Sequence, residues 1–538
     1  MVANLLWLAV AGTAVNAAYL DKRQASSSTS GPQYFQTSPE LYAGPTATGA
    51  APFLAQTNPA PFGPSRTYVP NTPLQTAEPI QGNTKNQNIF ELMGELSPYF
   101  PNPGLGVDEY PLPIGSNISQ WHMLHRHGSR YPTSGSNVET FGQNVSYAKG
   151  NGTFKASGQL EFLNYWSYQL GAEILVPRGR QELFDSGVLH YYQYGRLYNT
   201  SSKIIVRSTT EDRMTKSAEN WLSGFFGLDW TKNATLELLI EQDGFNNSLA
   251  GYDNCNNSNL GVSYGGDNAS DIWEMSYLAN ATERLSKLVE GYNWTVADTY
   301  AAQNMCPYET VAYGYSTFCD LFTFEEWQGF EYSIDLAFNG NDGFASPTGR
   351  AVGVGYVEEL VSRLQNQLPN TTDTQANATL DGSTSTFPLN QSLYLDFSHD
   401  TNIYSILTAF SLRQFAEDLP DSGPPASRNL TVSHLTPFAA RLDVEIIKTP
   451  APVPANRTSD YIQGPPTTYV HFILNQRTIP LHFSLPECES RVDGWCTLTD
   501  FLDAQSRAKE LANYDYACNG DYPSSPYGTI KDGAPLQS

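Results

Sequence analysis

The chain has 538 residues, 30 of them Lys or Arg and 54 Asp or Glu, for a formal charge of −24. That balance argues against nucleic acid and anionic membranes as partners, since both would repel it. With 40% hydrophobic residues the chain can bury a large core, and its length fits one large domain with an insertion or two to three ordinary ones.

The chain opens with "MVANLLWLAVAGTAVNAAYLDKRQ". An apolar run over residues 5–15, then Val15, Ala17 and Ala18, predicts a secretory signal peptide over 1–18, although the usual basic start is missing. Lys22-Arg23 reads as a dibasic processing site. The run is too short to span a bilayer, no later stretch is long enough, and the tail "IKDGAPLQS" lacks a lipid-anchor signature, so no membrane anchor is expected. Residues 19–87 are rich in Ser, Thr, Pro, Gly, Ala and Gln, which predicts a low-complexity, disordered leader. Folding should begin near "NIFELMGELSPYF", residues 88–100.

Strands and helices then alternate. "QWHMLHRHG" is a short extended run ending at a glycine, as a strand feeding a loop does. "SKIIVRSTTEDRMTKSAENWLSGFFG" repeats the design, with a strand over 204–206, a polar loop and a helix. "SLYLDFSHDTNIYSILTAF" does so again, with a strand over 393–397 and a helix near 403–410. Val357, Leu360, Val361, Leu364 and Leu368 follow helical spacing up to Pro369. "TYVHFILNQRTIPLHF" reads as two strands around a turn at Asn475-Gln476. The fold class expected is α/β, a mostly parallel central sheet flanked by helices. Residues 88–214 and 341–525 would form that domain. Residues 215–340, with a capping box at Thr323 and Glu326, would be a smaller helical insertion, and 526–538 a tail.

About fifteen N-x-S/T sequons, among them Asn117, Asn144, Asn151, Asn199, Asn233, Asn268, Asn293, Asn377, Asn429 and Asn456, predict N-linked glycans and a secreted, extracellular protein. Six cysteines without C-x-x-C spacing favour disulfides over zinc. Cys306/Cys319 and Cys488/Cys496 could each close a short loop, leaving Cys255 and Cys518 for a long-range bridge; spacing alone permits fifteen pairings.

The three strand ends carry polar residues of one kind: Arg126, His127 and Arg130 on the first, Arg207 on the second, His399 and Asp400 on the third. In open α/β sheets such ends gather into one crevice. Planar guanidiniums bind phosphate oxygens bidentately, so the expected ligand is a phosphoryl group. A neutral imidazole can attack phosphorus in line, and His127, inside the arginine cluster, is the candidate nucleophile. Asp400 is the candidate general acid for the leaving alkoxide, with His399 a further phosphate donor. A reference imidazole titrates near ~6.5, and neighbouring arginines keep it neutral in acid. Arg213 reads as a surface or structural residue; His122 and His125 as core or supporting residues; His190, His434, His471 and His482 as structural.

These residues resemble a known family. "RHGSRYPT" is similar to the R-H-G-x-R-x-P signature of the histidine acid phosphatases, and "SHDTN" to their H-D motif, with the likeness running over roughly residues 88–520 and extending to fungal phytases and acid phosphatases. The resemblance implies a helical cap on an α/β domain, no metal or other cofactor, and a phosphohistidine on His127. It also implies phosphate binding by Arg126, Arg130, Arg207 and His399, proton donation by Asp400, and disulfides Cys255–Cys518, Cys306–Cys319 and Cys488–Cys496. The expected activity is hydrolysis of small phosphate monoesters, phytate among them, with an acid optimum, because acidic rim residues repel a polyanion less as they protonate. Two other readings use the same scaffold: a phosphohistidine mutase and a non-catalytic surface glycoprotein.

Overall fold

The computed structural model describes residues 80–85, 87–369 and 373–536; the signal peptide and most of the leader lie outside them. Among the described residues the strands are β1 (Asn117–Arg126), β2 (Lys155–Ala156), β3 (Ile204–Thr209), β4 (Ala234–Leu239), β5 (Val289–Glu290), β6 (Leu393–Ser398), β7 (Arg441–Thr449), β8 (Thr467–Leu474), β9 (Arg477–Ile479) and β10 (Cys496–Thr497). The central sheet runs β10-β8-β7-β1-β6-β3-β4, with β9 beside β8, while β2 and β5 pair separately. β1, β6, β3 and β4 are parallel, and β7 to β10 form an antiparallel half joined at β1. The chain leaves β1 toward β3 and leaves β6 toward β7, on opposite sides. A crevice therefore opens where these two neighbouring strand ends diverge.

Apolar side chains cover both faces. On one, Trp121, Met123, Val206, Leu395 and Phe397 pack against Leu183 of the helix Pro177–Tyr194 and Trp221 and Phe225 of the helix Asp212–Phe226. On the other, Leu124, Leu442 and Val444 join a core with Val354, Leu360 and Ile406 from the helices Gly349–Leu364 and Asp400–Ala409. That core continues through Leu278, Met305, Trp327 and Phe330 of the helical region, so the helical part adds to the core of the sheet. The capping box is present: Glu326 N donates to Thr323 Oγ1 at 3.2 Å and Thr323 N to Glu326 Oε2 at 2.9 Å. Asn475 and Gln476 turn β8 into β9 with φ of 47° and 70°, as the tightest hairpins require. Cysteines pair as Cys255–Cys518, Cys306–Cys319 and Cys488–Cys496.

Several boundaries differ from expectation. The helix Asp212–Phe226 straddles residue 215, and β4 lies in the central sheet, so the helical part begins only after Leu239. The leader's end is folded: Ile80 is buried and Gln81 O accepts from Phe324 N at 2.8 Å. The tail also docks, because Arg350 N donates to Gly533 O at 2.9 Å and Gly533 N to Phe344 O at 2.8 Å. The third helix starts at Asp400, directly after His399, rather than near 403.

The loop leaving β1 is pressed against the helix Pro177–Tyr194. A Cβ on Gly179 would lie 2.0 Å from Ser129 O, and one on Gly128 would lie 2.3 Å from Gly179 O. Glu182 on the same helix accepts from Ser129 N at 2.9 Å and from Ser129 Oγ at 2.8 Å. Gly179→Ala is thus expected to push the loop off the helix, costing about 1–3 kcal/mol in denaturant unfolding and lowering catalytic rate together with it.

Candidate active site

Arg126 ends β1 with its side chain fully buried. Its Nη1 donates to Glu95 O at 2.5 Å and Thr436 O at 2.7 Å, its Nη2 donates to Asp400 Oδ2 at 2.5 Å, and its guanidinium stacks 4.6 Å from the Phe438 ring centre. His127 follows, 1% exposed. Its Nδ1 lies 2.9 Å from Gly128 O; a carbonyl can only accept, so Nδ1 holds the proton and Nε2 keeps a free lone pair. Burial, and then the positive charges of Arg126, Arg130 and Arg213, push its pKa well below the ordinary 6.5. The ring is neutral in acid.

Arg130 bridges its backbone to Leu175 and donates from Nη1 to Tyr131 O at 2.9 Å, while its Nε is buried with no partner. From β6, His399 caps the helix Asp400–Ala409, and its ring centre stands 5.7 Å from that of His127. His399 Nε2 donates to Glu241 Oε2 at 3.1 Å. Glu241 is lowered to about 2: burial opposes its ionisation, but the His399 charge and hydrogen bonds from His399, Thr209 and Tyr252 outweigh it. Asp400 accepts from Thr401 N at 2.9 Å. Burial disfavours its charge, yet Arg126 and Arg130 prevail and hold its carboxyl below the usual range.

The structure therefore brings together Arg126, His127, Arg130, His399 and Asp400. It does not bring Arg207. That residue sits level with Asp396, which is level with Leu124 on β1, three residues short of His127, or about 10 Å along the strand. It is 2% exposed; its Nε donates to Asp396 Oδ1 at 2.7 Å and its Nη2 to Glu359 Oε2 at 2.5 Å, with Asp381 3.7 Å away. Arg363 completes this buried cluster at 2.8 Å from Asp396. Arg207 is spent on three carboxylates inside the fold.

Arg213, read from the sequence as a surface or structural residue, lies instead within reach of the His127 ring. It lies in the first turn of the helix Asp212–Phe226, its field reaches the His127 ring, and it pairs with Glu173 at 2.9 Å and with Glu211. Its distance of six residues from Arg207 carries no periodic signal; only knowing where β3 stops would have revealed it. Glu95 was also missed. It belongs to a short turn, Gly94–Leu96, whose carbonyl holds Arg126, and its own Oε2 is buried without a partner. Glu211, Glu241 and His399 bring ligand-type atoms within 4.8 Å of one another, the one such group among the described residues. Glu211 is paired to Arg213 and Glu241 to His399, so the trio works as a charge clamp. His125 and His122 lie deeper in the sheet: His125 Nε2 is 2.8 Å from Ser186 Oγ, and His122 stacks 4.6 Å from Tyr394.

A neutral imidazole with a free Nε2, guanidiniums around it and a carboxyl opposite, on the open end of a parallel sheet, define a phosphoric monoester hydrolase. Residues 117–475 match the model of the histidine phosphatase superfamily (branch 2), and the chain belongs to that family. It is 30% identical to Phytase A of Arthroderma benhamiae, over 79% of this chain and 91% of that one, and 29% identical to Phytase A of Aspergillus oryzae, over 83% and 96%. Its fold is similar to that of the phytase from D. castellii, with a TM-score of 0.63 and 23% identity, covering 81% of this chain and 89% of that one. It is also similar to the fold of a multiple inositol polyphosphate phosphatase of Bifidobacterium longum, solved with inositol hexasulfate, with a TM-score of 0.54 and 13% identity over 76% and 96%.

Arg213→Ala is expected to lower kcat/KM about 10²- to 10³-fold with little change in Tm. Arg207→Ala, which strands Asp396 and Glu359, is expected to cost about 3–5 kcal/mol of stability. Unfolding curves and p-nitrophenyl phosphate kinetics on the two variants distinguish the roles, and a well-folded but inactive Arg207→Ala protein would reverse the assignment.

Proposed function

We propose that the protein is a secreted acid phosphatase that hydrolyses phosphate monoesters, phytate included, through a phosphohistidine on His127. The observation that carries this reading is the His127 ring itself: its Nδ1 proton is committed to Gly128 O, which leaves Nε2 with a free lone pair, and the ring lies in the field of Arg126, Arg130 and Arg213, the first two of which also act on Asp400. Nε2 attacks phosphorus as the P–O bond to the alcohol breaks, and the leaving oxygen takes the proton of Asp400. Water then attacks the phosphohistidine, gives a proton to the Asp400 carboxylate and releases inorganic phosphate, so water is the one other reactant consumed. Arg126, Arg130, Arg213 and His399 bind the equatorial oxygens and stabilise charge as it redistributes.

Asp400 must be protonated for the first step, whereas its pairing with Arg126 favours the carboxylate. A bound phosphate competes for that guanidinium, and Asp400 then loses the contact that held its carboxyl low. Acid favours the protonated acid while His127 stays neutral, which supports an acid optimum. Phytate as a substrate rests on the phytase relatives. Secretion and glycosylation rest on the three disulfides and on the sequons, none of whose asparagines named above is buried. Among the described residues no helix is long and apolar enough to cross a membrane.

His127→Ala should abolish turnover, and acid-quenched wild-type enzyme given ³²P-labelled substrate should yield label on the peptide bearing His127. Asp400→Asn should slow alkyl phosphates about 10²- to 10⁴-fold, yet p-nitrophenyl phosphate, whose leaving group needs no proton, much less. In wild type kcat/KM should fall as pH rises and Asp400 loses its proton, and that limb should vanish in Asp400→Asn. Full activity of His127→Ala on every ester would refute the proposal.

A further inference from the structure

The charges around the site are unevenly spent. Three of the four cations proposed to hold the transferred phosphoryl group already face carboxylates: Arg126 faces Asp400, Arg213 faces Glu173 and Glu211, and His399 faces Glu241, while Arg130 donates to the Tyr131 carbonyl. Asp253 and Asp342 add further negative charge, the first near His399 and Glu241, the second near Asp400. Among the described residues no lysine forms an ion pair with any of these carboxylates; the paired lysines 216, 232, 287, 509 and 531 all bond elsewhere.

Glu95, like Asp253 and Asp342, forms no ion pair among the described residues, but unlike them it lies in the field of Arg126 and Arg130 as well as of a neighbouring carboxylate. The Gly94–Leu96 turn is pinned by the bond from Arg126 to the Glu95 carbonyl and by Phe438 N donating to Ser97 O at 2.9 Å, while Ile334 packs against Gly94. The backbone that carries the carboxyl is therefore fixed, and its Oε2 is buried and unpartnered. The charged and titratable groups that face it are Asp400 from the start of the helix Asp400–Ala409, Arg126 and Arg130 from β1 and its loop, and Tyr308 and Tyr300 from the helix Val296–Tyr313. Glu95 thus shares the acid's side of the site, where the alcohol must leave.

We infer that Glu95 sets the substrate class of this enzyme: on the leaving-group side it disfavours esters whose alcohol carries further anionic groups, and it does so only when ionised. This rests on the phosphatase reading above. Burial, and then the negative charge of Asp400, raise Glu95 to about 7 against the pull of Arg126. Below that point the side chain is a neutral acid that can donate its proton to a substrate oxygen; above it, an unpaired negative charge. Polyphosphorylated substrates should be used in acid and lost toward neutrality, whereas esters with neutral alcohols should not show this added dependence. Esters with cationic alcohols should gain relative to neutral ones.

The experiment is kcat/KM from pH 4 to 8 for phytate, p-nitrophenyl phosphate and phosphoethanolamine, on wild type, Glu95→Gln and Glu95→Asp. For wild type the phytate to p-nitrophenyl phosphate ratio should drop about three- to tenfold across pH 6–8, while the phosphoethanolamine ratio rises. Glu95→Gln should flatten both ratios, and Glu95→Asp should restore their slopes. Glu95→Leu serves the same purpose should Glu95→Gln fold poorly. Identical ratio profiles in wild type and the neutral variants would overturn the inference while leaving the phosphatase reading intact. Absence of turnover on all three esters by the wild type would instead remove the reading beneath it.

Discussion

Arg126, Arg130 and Arg213 repel one another, and the protein must hold them around one imidazole before any anion arrives. It does so with groups drawn from distant parts of the chain. The carbonyls of Glu95 and Thr436 and the carboxylate of Asp400 receive Arg126, the loop to Leu175 fixes Arg130, and Glu173 and Glu211 receive Arg213. The His127 ring benefits from their crowding, since a positive surround disfavours a second proton on it. On the proposed mechanism one arrangement thus provides both the anion site and a nucleophile that survives acid. The neutral Nε2 depends on a further detail, the commitment of Nδ1–H to Gly128 O, which in turn needs the close approach of Gly128 and Gly179.

The same economy of charge runs through the rest of the fold. Several buried carboxyls are raised by burial and by one another: Glu331 to about 7, Glu274 and Asp381 to about 8, Asp335 to about 6. Groups whose folded pKa exceeds the unfolded value bind protons more tightly when folded. Their contribution to stability is complete in acid and is lost as pH rises through about 6 to 8. Glu241 and Asp400, lowered by His399 and by Arg126, act in the opposite sense and keep their charge far into acid. The acidic composition read from the sequence is therefore consistent with a fold that tolerates many of its carboxyls best when they carry a proton.

Much of this was legible in the sequence because it depends on local rules. A strand that ends in glycine, a capping box and an Asn-Gln hairpin each declare themselves within a few residues, and the crevice follows from the order of parallel units. Arg207 and Arg213 mark where that legibility stops. Both are arginines in one strand-loop-helix unit, and sequence offers no measure of how far a strand extends before its loop. β3 runs to Thr209, which leaves Arg207 inside the sheet, where a charge is tolerated only with partners. Those partners lie 189 and 152 residues away, at Asp396 and Glu359, and no local pattern announces them. Arg213 lies beyond the end of β3, in the first turn of the following helix, where its partners Glu173 and Glu211 are themselves part-exposed. Glu95 was invisible for the same reason: its importance comes from Arg126 and Asp400, neither of which is near it in the chain.

The resting contact between Arg126 and Asp400 links these observations to turnover. A carboxyl held ionised by its neighbour is a poor proton donor, so on the proposed mechanism Asp400 must lose that contact before it serves as the acid. On that mechanism a phosphate dianion that reaches Arg126 competes for the guanidinium, and the part-buried Asp400 has weaker support for its charge. Burial then favours the protonated carboxyl, and the binding of substrate itself prepares the acid that the leaving group needs. A phosphate-free alcohol cannot do this, and neither can a weakly bound anion that fails to compete for Arg126. Readiness for the chemistry is thus tied to occupancy by the right ligand through a single exchange of partners at one guanidinium.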